Sequence, residues 1–170
     1  QYSSLTYFLT ILFLDYLKSL NLPNLVMATP DVGGTRRANA YAKNLNVDLA
    51  ICYKQRKVAN EVHSMTVIGD IVGKDVVLVD DIIDTGGTLV KAADMMMSKG
   101  ANSVRACITH PLLSGDAYEK LENSKLTELV VTNTIPLKPE KNSSKIKVLS
   151  VAPLFADVIR KVHNYESIST

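Results

Sequence analysis

"VVLVDDIIDTGGTL" (residues 76–89) places an apolar run directly before two carboxylates and a glycine pair. The apolar run predicts a buried strand, and the residues from Thr88 onward predict a helix. Between strand and helix lies a short turn made of Asp84, Thr85, Gly86, Gly87 and Thr88. A strand, a turn and a helix in this order form the building unit of an α/β protein.

The same alternation continues on both sides of this stretch. Strands are predicted at residues 24–29, 48–54, 75–81, 103–110, 128–134 and 147–151. Helices are predicted at residues 33–46, 88–100, 114–124 and 153–165, with a further apolar helix that begins near Ser3 or Ser4. Continuous apolar strands between helices indicate a mostly parallel sheet with helices on both faces. We expect a single domain over residues 1–170.

Composition narrows the classes of partner. The chain has 170 residues, 46% of them hydrophobic and 21% charged, with a net charge of +2. Its basic residues are scattered, so we expect no nucleic-acid partner. The apolar stretch 5–20 is too short for a membrane span and is interrupted by Asp15 and Lys18, so we expect no membrane partner. Cys52 and Cys107 lie in apolar runs, which favours buried, reduced thiols in a cytoplasmic protein.

Three strand ends carry charge or glycine: "TPDVGG" (29–34), "YKQRK" (53–57) and "DDIIDTGGT" (80–88). Ligands of open α/β sheets bind at the carboxyl ends of the strands. The sequence therefore predicts a binding site formed by these three segments.

The turn at residues 84–88, which we call the glycine loop, suits an anion. Backbone N–H groups at the start of a helix, together with the helix dipole, bind phosphate without a lysine. Carboxylates beside it would repel a free phosphate, but a sugar phosphate removes the conflict. Asp80 and Asp81 would then accept hydrogen bonds from ribose hydroxyls or meet a Mg²⁺ ion. The alternative is an ordinary turn in which Asp84 or Thr85 caps the helix.

"VVLVDDIIDTGGT" resembles the signature shared by type I phosphoribosyltransferases and ribose-phosphate pyrophosphokinases. Three other segments favour the second family: "TPDVGGTRRANAYAKNL" (29–45), "YKQRKVANEV" (53–62) and "THPLLSGDAYEKLENSKLTELVVTNTIPL" (109–137). The closing "NYESIS" (164–169) is similar as well. The resemblance runs from about Tyr2 onward and implies a type I phosphoribosyltransferase-like fold.

The resemblance implies a transferase that moves pyrophosphate from Mg-ATP to the anomeric hydroxyl of ribose 5-phosphate. Lys54 and Arg56 would be catalytic on a flexible loop, and Arg56 would also bind substrate. Asp31 would be linked to Mg²⁺. Ribose 5-phosphate would contact Asp80, Asp81, Asp84, Thr85, Gly86, Gly87 and Thr88. Without the resemblance, Lys54 and Arg56 would be interpreted as surface charges and Asp31 as a turn residue.

Three functional interpretations stay open at this point. The chain is interpreted first as the C-terminal half of a ribose-phosphate pyrophosphokinase that lacks the N-terminal, ATP-binding half, so the isolated fragment should be nearly inactive. The others are a phosphoribosyltransferase and a non-catalytic regulatory relative. The first implies phosphate and ADP as effectors and a cytoplasmic homo-oligomer, commonly a hexamer. Arg36 and Arg37 could reach phosphate, but a solvated helix face is at least as well supported.

Overall fold

A computed structural model describes residues 4–55, 64–141 and 143–168. Its strands are β1 (Leu25–Thr29), β2 (Asp48–Gln55), β3 (Ser64–Ile68), β4 (Asp75–Ile83), β5 (Ser103–Pro111), β6 (Glu128–Thr132) and β7 (Ile146–Leu149). Its α-helices are α1 (Ser4–Ser19), α2 (Thr35–Leu45), α3 (Gly87–Ser98), α4 (Ala117–Asn123) and α5 (Ala152–His163). A short 3-10 helix, Val32–Gly34, directly precedes α2.

The strands form one seven-stranded sheet in the order β3-β2-β1-β4-β5-β6-β7. Every neighbouring pair is parallel except β2 and β3, which are antiparallel. The predicted mostly parallel sheet is therefore confirmed. The chain builds outward from β1 in one direction and from β4 in the other, so strand order reverses between them. Such a reversal opens a crevice at the carboxyl ends of the two strands.

Strand β3 is an element that the sequence interpretation did not predict. It pairs with β2 through contacts such as Ile51 with Ile68 and Cys52 with Val67. It is five residues long and lies at the sheet edge. Its residues, SMTVI, lack the continuous apolar run by which the equally short β1 and β6 were predicted.

Side chains alternate between the two faces of the sheet, and each face has its own core. On one face, Met27 and Val77 pack with residues of α1 and α2 such as Phe13 and Tyr41. On the other face, Val76 and its neighbours pack with residues of α3 and α4. The predicted covering of both faces by helices is therefore confirmed.

The terminal helices differ in how they are used. In α1, Phe13 and Leu17 are each 1% exposed, which agrees with the predicted core helix. In α5 no residue is buried, and Ile159 is 66% exposed. Within residues 4–55, 64–141 and 143–168, no helix combines the length and the hydropathy that a bilayer span requires.

Candidate functional site

A cleft of about 180 Å³ opens at the carboxyl ends of β1 and β4, where the strand order reverses. Two segments that the sequence interpretation singled out meet there. The lining residues are Pro30, Asp31, Asp80, Ile82, Ile83, Asp84, Thr85, Gly86, Gly87, Thr88, Leu89 and Ile108. The cleft therefore brings together Asp31, Asp80 and the whole glycine loop.

The glycine loop leads into an α-helix that has no side-chain cap. Gly86 is the N-cap residue of α3, and no side chain accepts a hydrogen bond at this cap. The alternative interpretation, in which Asp84 or Thr85 caps the helix, is therefore wrong. The first amides of an α-helix have no acceptor within the helix itself. At this N-terminus they carry the positive end of the helix dipole and face a cleft, which is the arrangement that binds anions.

The two glycines of the loop serve different purposes. Gly86 has φ +73°, a left-handed conformation that side chains disfavour. A Cβ atom there would meet only Ile83 Cδ1 at 3.7 Å and Ala117 Cβ at 3.9 Å, so backbone conformation and not space requires glycine. A Cβ atom on Gly87 would meet nothing within 4 Å, because that position borders the open cleft.

Arg37 of α2 bridges the acidic pair. Its Nη1 lies 2.6 Å from Asp80 Oδ1, and its Nη2 lies 2.8 Å from Asp81 Oδ2. The Arg37 and Asp80 side chains are about a quarter exposed, whereas that of Asp81 is 60% exposed. The planar guanidinium can serve both carboxylates at once, which a lysine could not. Part of the negative charge beside the glycine loop is therefore compensated inside the protein.

The two carboxyls differ in acidity. Burial raises the pKa of Asp80 above its ordinary value, because desolvation outweighs the attraction of Arg37. Burial also opposes ionisation of Asp81, but the charge of Arg37 and hydrogen bonds to the carboxylate prevail, so the pKa of Asp81 is lowered. Asp80 is thus the partly desolvated member that lines the cleft, and Asp81 is the more exposed one, whose ionised form Arg37 favours.

Asp31 follows β1 and combines two roles. Its Oδ1 accepts a hydrogen bond from Gly34 N at 3.1 Å, so the turn-residue interpretation is correct as far as it goes. The residue also lines the cleft together with Asp80. A Cβ atom on Gly34 would overlap the Thr29 hydroxyl, so this position requires glycine for close approach of the backbone. The turn therefore fixes a carboxylate at the cleft wall.

The donor set suits a hard divalent cation. Asp31 and Asp80 provide carboxylate oxygens in one cleft, and Mg²⁺ commonly binds one or two carboxylates plus substrate phosphates. Across the described ranges, no three His, Cys, Asp or Glu residues are placed to enclose a metal by themselves. The residues present therefore fit an ion that substrate would help to hold.

The loop residues Lys54 and Arg56 are not placed with the cleft. Lys54 lies in β2 opposite Met65 of β3, and its side chain is not described. Arg56 lies in the segment 56–63, outside the described residues. Their catalytic roles stay predictions.

Arg37 is the residue that sequence reasoning undervalued. Its contacts form because α2 lies beside β4, although Arg37 and Asp80 are 43 positions apart in the chain. The signal in the sequence was its position in the first turn of α2. A cation there, just after the end of β1, can reach the end of a neighbouring strand. That signal becomes specific only once β1 and β4 are known to be neighbours in the sheet.

Comparison with known proteins gives consistent results. The family described as phosphoribosyl synthetase-associated domain matches residues 55–170. A ribose-phosphate pyrophosphokinase of Wolinella succinogenes is 58% identical over 161 residues, covering 95% of this chain and 52% of the relative. The crystal structure of phosphoribosylpyrophosphate synthetase from Mycobacterium smegmatis superposes with a TM-score of 0.83 at 36% identity, covering 92% of this chain and 51% of that one.

A more distant likeness concerns the fold alone. An adenine phosphoribosyltransferase structure from Trypanosoma brucei has a TM-score of 0.57 at 22% identity and covers 89% of this chain and 76% of that one. The type I phosphoribosyltransferase-like fold is thereby confirmed. The chain spans about half the length of the curated relatives it matches. With a family match over residues 55–170 and relatives up to 58% identical, the chain belongs to the ribose-phosphate pyrophosphokinase family.

Proposed function

We propose that this chain forms the ribose 5-phosphate-binding half of a ribose-phosphate pyrophosphokinase. One observation carries the proposal: the uncapped N-terminus of α3 and the Asp80 carboxylate line the same cleft. An anion site beside carboxylates that can accept hydrogen bonds from hydroxyl groups fits a phosphorylated sugar better than it fits free phosphate. The amides of the glycine loop bind the 5-phosphate, and Asp80 and Asp81 accept hydrogen bonds from ribose hydroxyls.

The reaction proposed for the complete enzyme is transfer of pyrophosphate from ATP. The anomeric oxygen of ribose 5-phosphate forms a bond to the β-phosphorus, the bond between that phosphorus and the α–β bridging oxygen breaks, and AMP leaves. The hydroxyl proton is released. Such transfers depend on positioning and on stabilising charge more than on covalent help from the protein. Lys54 and Arg56 supply positive charge to the transferred group.

Asp31 is proposed to hold Mg²⁺ together with substrate phosphates, and Asp80 lies in the same cleft. The ion supplies charge neutralisation on the phosphates. Asp31 is presented to the cleft by its hydrogen bond from Gly34, so the carboxylate does not have to be ordered when substrate binds.

Product analysis of the complete enzyme tests the function. Incubation with ATP and ribose 5-phosphate should release AMP in step with phosphoribosyl pyrophosphate. A phosphoribosyltransferase would instead consume phosphoribosyl pyrophosphate, and a regulatory relative would do neither.

Lys54→Ala should lower turnover at least tenfold with little change in ribose 5-phosphate binding, as expected for a transition-state contact. Lys57→Ala, a charge change in the same loop, should leave turnover within about twofold. Equal turnover in Lys54→Ala and wild type would contradict the catalytic assignment.

We also propose that the complete protein is a cytoplasmic homo-oligomer, a hexamer as the family resemblance implies, with phosphate and ADP as effectors. The family membership supports this extension. A mass from light scattering, measured with and without phosphate and ADP, tests it. A monomer under all conditions would contradict the oligomer.

A further inference from the structure

The segment that follows β5, residues 112–120, holds the backbone of the glycine loop. We call it the supporting segment. The N–H groups of Leu112 and Leu113 both donate to the carbonyl of Ile83, at 3.0 and 3.2 Å, and Ser114 N–H donates to the carbonyl of Asp84 at 3.1 Å. Successive carbonyls at the end of β4 are therefore bound by one segment.

A side chain continues this series. Lys120 Nζ, from α4, donates to the carbonyl of Thr85 at 3.4 Å. The same ammonium group lies 2.7 Å from Asp116 Oδ1, one helical turn earlier. Asp116 thus directs the lysine, and Lys120 extends the backbone contacts of the supporting segment to the next peptide of the glycine loop.

These contacts determine where the loop amides point. In a planar trans peptide, the N–H group points opposite to the carbonyl of the preceding residue. Binding of the Asp84 and Thr85 carbonyls by the supporting segment therefore turns the N–H groups of Thr85 and Gly86 away from it. Both residues line the cleft. Consecutive amides that point to one side form a concave site for an anion.

The supporting segment has an unusual backbone, which its packing maintains. Leu113 has φ +49° although it carries a side chain, and Gly115 has φ +58°. The Leu113 side chain is only 1% exposed, so burial in the core stabilises the strained residue. A segment fixed in this way can hold the carbonyls of a neighbouring loop without moving itself.

We propose that Lys120 is a positioning residue that orients the Thr85–Gly86 peptide, so that the Gly86 N–H faces the bound phosphate. The proposal rests on the proposed function, which assigns the glycine loop to the 5-phosphate. Lys120 acts through the Thr85 carbonyl and also adds positive charge beside a cleft wall that carries several carboxylates. Of the four hydrogen bonds from the supporting segment to the carbonyls of Ile83, Asp84 and Thr85, the one from Lys120 is made by a side chain and can be removed by substitution.

The first test needs no ligand. Amide chemical shifts and hydrogen exchange of Gly86 are measured by NMR in the 170-residue chain and in Lys120→Met, which keeps the side-chain length without the donor. The Gly86 amide should shift and exchange faster in Lys120→Met and return toward wild type in Lys120→Arg. Lys161→Met is the matched control, because Lys161 also pairs with an aspartate four residues earlier, at 3.2 Å, but on α5. An unchanged Gly86 amide in Lys120→Met would overturn the positioning role.

The second test is calorimetric titration with ribose 5-phosphate. Lys120→Met should bind about fivefold more weakly than wild type, whereas Lys161→Met should bind equally well. Equal affinity of Lys120→Met and wild type would overturn the proposal even if the amide moves. Absence of binding in wild type, with the Gly86 shift still present, would instead overturn the proposed ligand of the glycine loop and leave the orientation of the peptide established.

Discussion

At the scale of single residues, Arg37 is the cation that pairs with both carboxylates beside the glycine loop. Without it, Asp80 and Asp81 would place two uncompensated charges beside the glycine loop. Its two contacts, at 2.6 and 2.8 Å, bring one positive charge against the two carboxylates and so reduce that repulsion. The pairing also fixes the direction of both carboxylates, which a ribose ligand would have to match.

Arg37→Met should therefore weaken ribose 5-phosphate binding by about tenfold or more, because the acidic pair then repels the phosphate. Arg37→Lys should be intermediate, since one ammonium group cannot bridge both carboxylates. The free energy of unfolding should fall by only about 1 kcal/mol in Arg37→Met, because the ion pairs are partly exposed. Calorimetric titration and urea denaturation measure the two effects. Lys43→Met, on the same helix, is the control, and full affinity in Arg37→Met would refute the argument.

The two buried thiols should make the free energy of unfolding depend on pH. Burial raises the pKa of Cys52 to about 12, with a smaller contribution from Asp31, and burial raises the pKa of Cys107 as well. A group whose pKa is higher in the folded state stabilises the fold below its unfolded pKa, and that contribution is lost as the pH rises. The free energy of unfolding should therefore decrease above about pH 9, with a slope approaching about 1.4 kcal/mol per pH unit for each thiol.

Urea denaturation between about pH 8 and 9.5 measures this slope, below the range in which the tyrosines Tyr16 and Tyr41, whose pKa values are also raised by burial, contribute most. Cys107→Ala should reduce the slope by about half. A stability that stays flat over this range in the wild-type chain would show that the thiols ionise equally in the folded and unfolded states.

Sequence reasoning located the carboxylates and glycines of the cleft but not the cation that compensates them. Asp80 and the glycine loop lie within nine consecutive residues, so their proximity follows from local structure. Arg37 is adjacent only because β1 and β4 are neighbours in the sheet. Contacts of that kind depend on strand order, which alternation of strands and helices does not determine.

At the scale of elements, the turn between β4 and α3 contains the glycine loop, which is proposed to bind the 5-phosphate. Gly86→Ala should lower the free energy of unfolding by about 1–2 kcal/mol, because alanine is strained at φ +73°. Gly87→Ala should change it by no more than about 0.5 kcal/mol, since its Cβ would enter open space. Both should weaken ribose 5-phosphate binding, the first by tilting the amides and the second by blocking the floor of the cleft.

Urea denaturation and titration of the two variants separate the effects, since each glycine is the control for the other. A Gly87→Ala variant that binds as wild type does would place the phosphate away from the start of α3. A Gly86→Ala variant of full stability would mean that the loop relaxes to a conformation that alanine tolerates.

The parallel strands and the helices other than α5 were predictable because they have a buried face or a continuous apolar run. Residues 75–83, for example, were expected as a strand over 75–81 and extend only two residues further. Strand β3 was not predicted, because it acquires its structure by pairing with β2 at the sheet edge. Helix α5 was predicted correctly, yet its lack of buried residues could not be, since its apolar pattern is that of a packed helix.

At the scale of the whole molecule, the sheet order explains why separate segments form one site. Asp31 follows β1 and the acidic pair ends β4, and these strands are neighbours whose carboxyl ends meet at the strand-order reversal. The described residues therefore bring Asp31, Asp80 and the glycine loop to one cleft, whereas Arg56, which is also proposed to bind substrate, lies outside them. The charges proposed to act on ATP lie instead at the end of β2 and in the segment beyond it.

The chain as given should bind ribose 5-phosphate weakly and release almost no AMP. It spans about half the length of its relatives, and we propose that the remaining half holds adenine. Contacts to remote parts of a substrate position the reacting groups, so their loss should lower turnover by about a hundredfold or more. Calorimetry and an AMP-release assay on one sample test both parts, with the Lys54→Ala complete enzyme as the reference for low activity. Turnover close to that of the intact enzyme would show that the ATP site lies within these 170 residues.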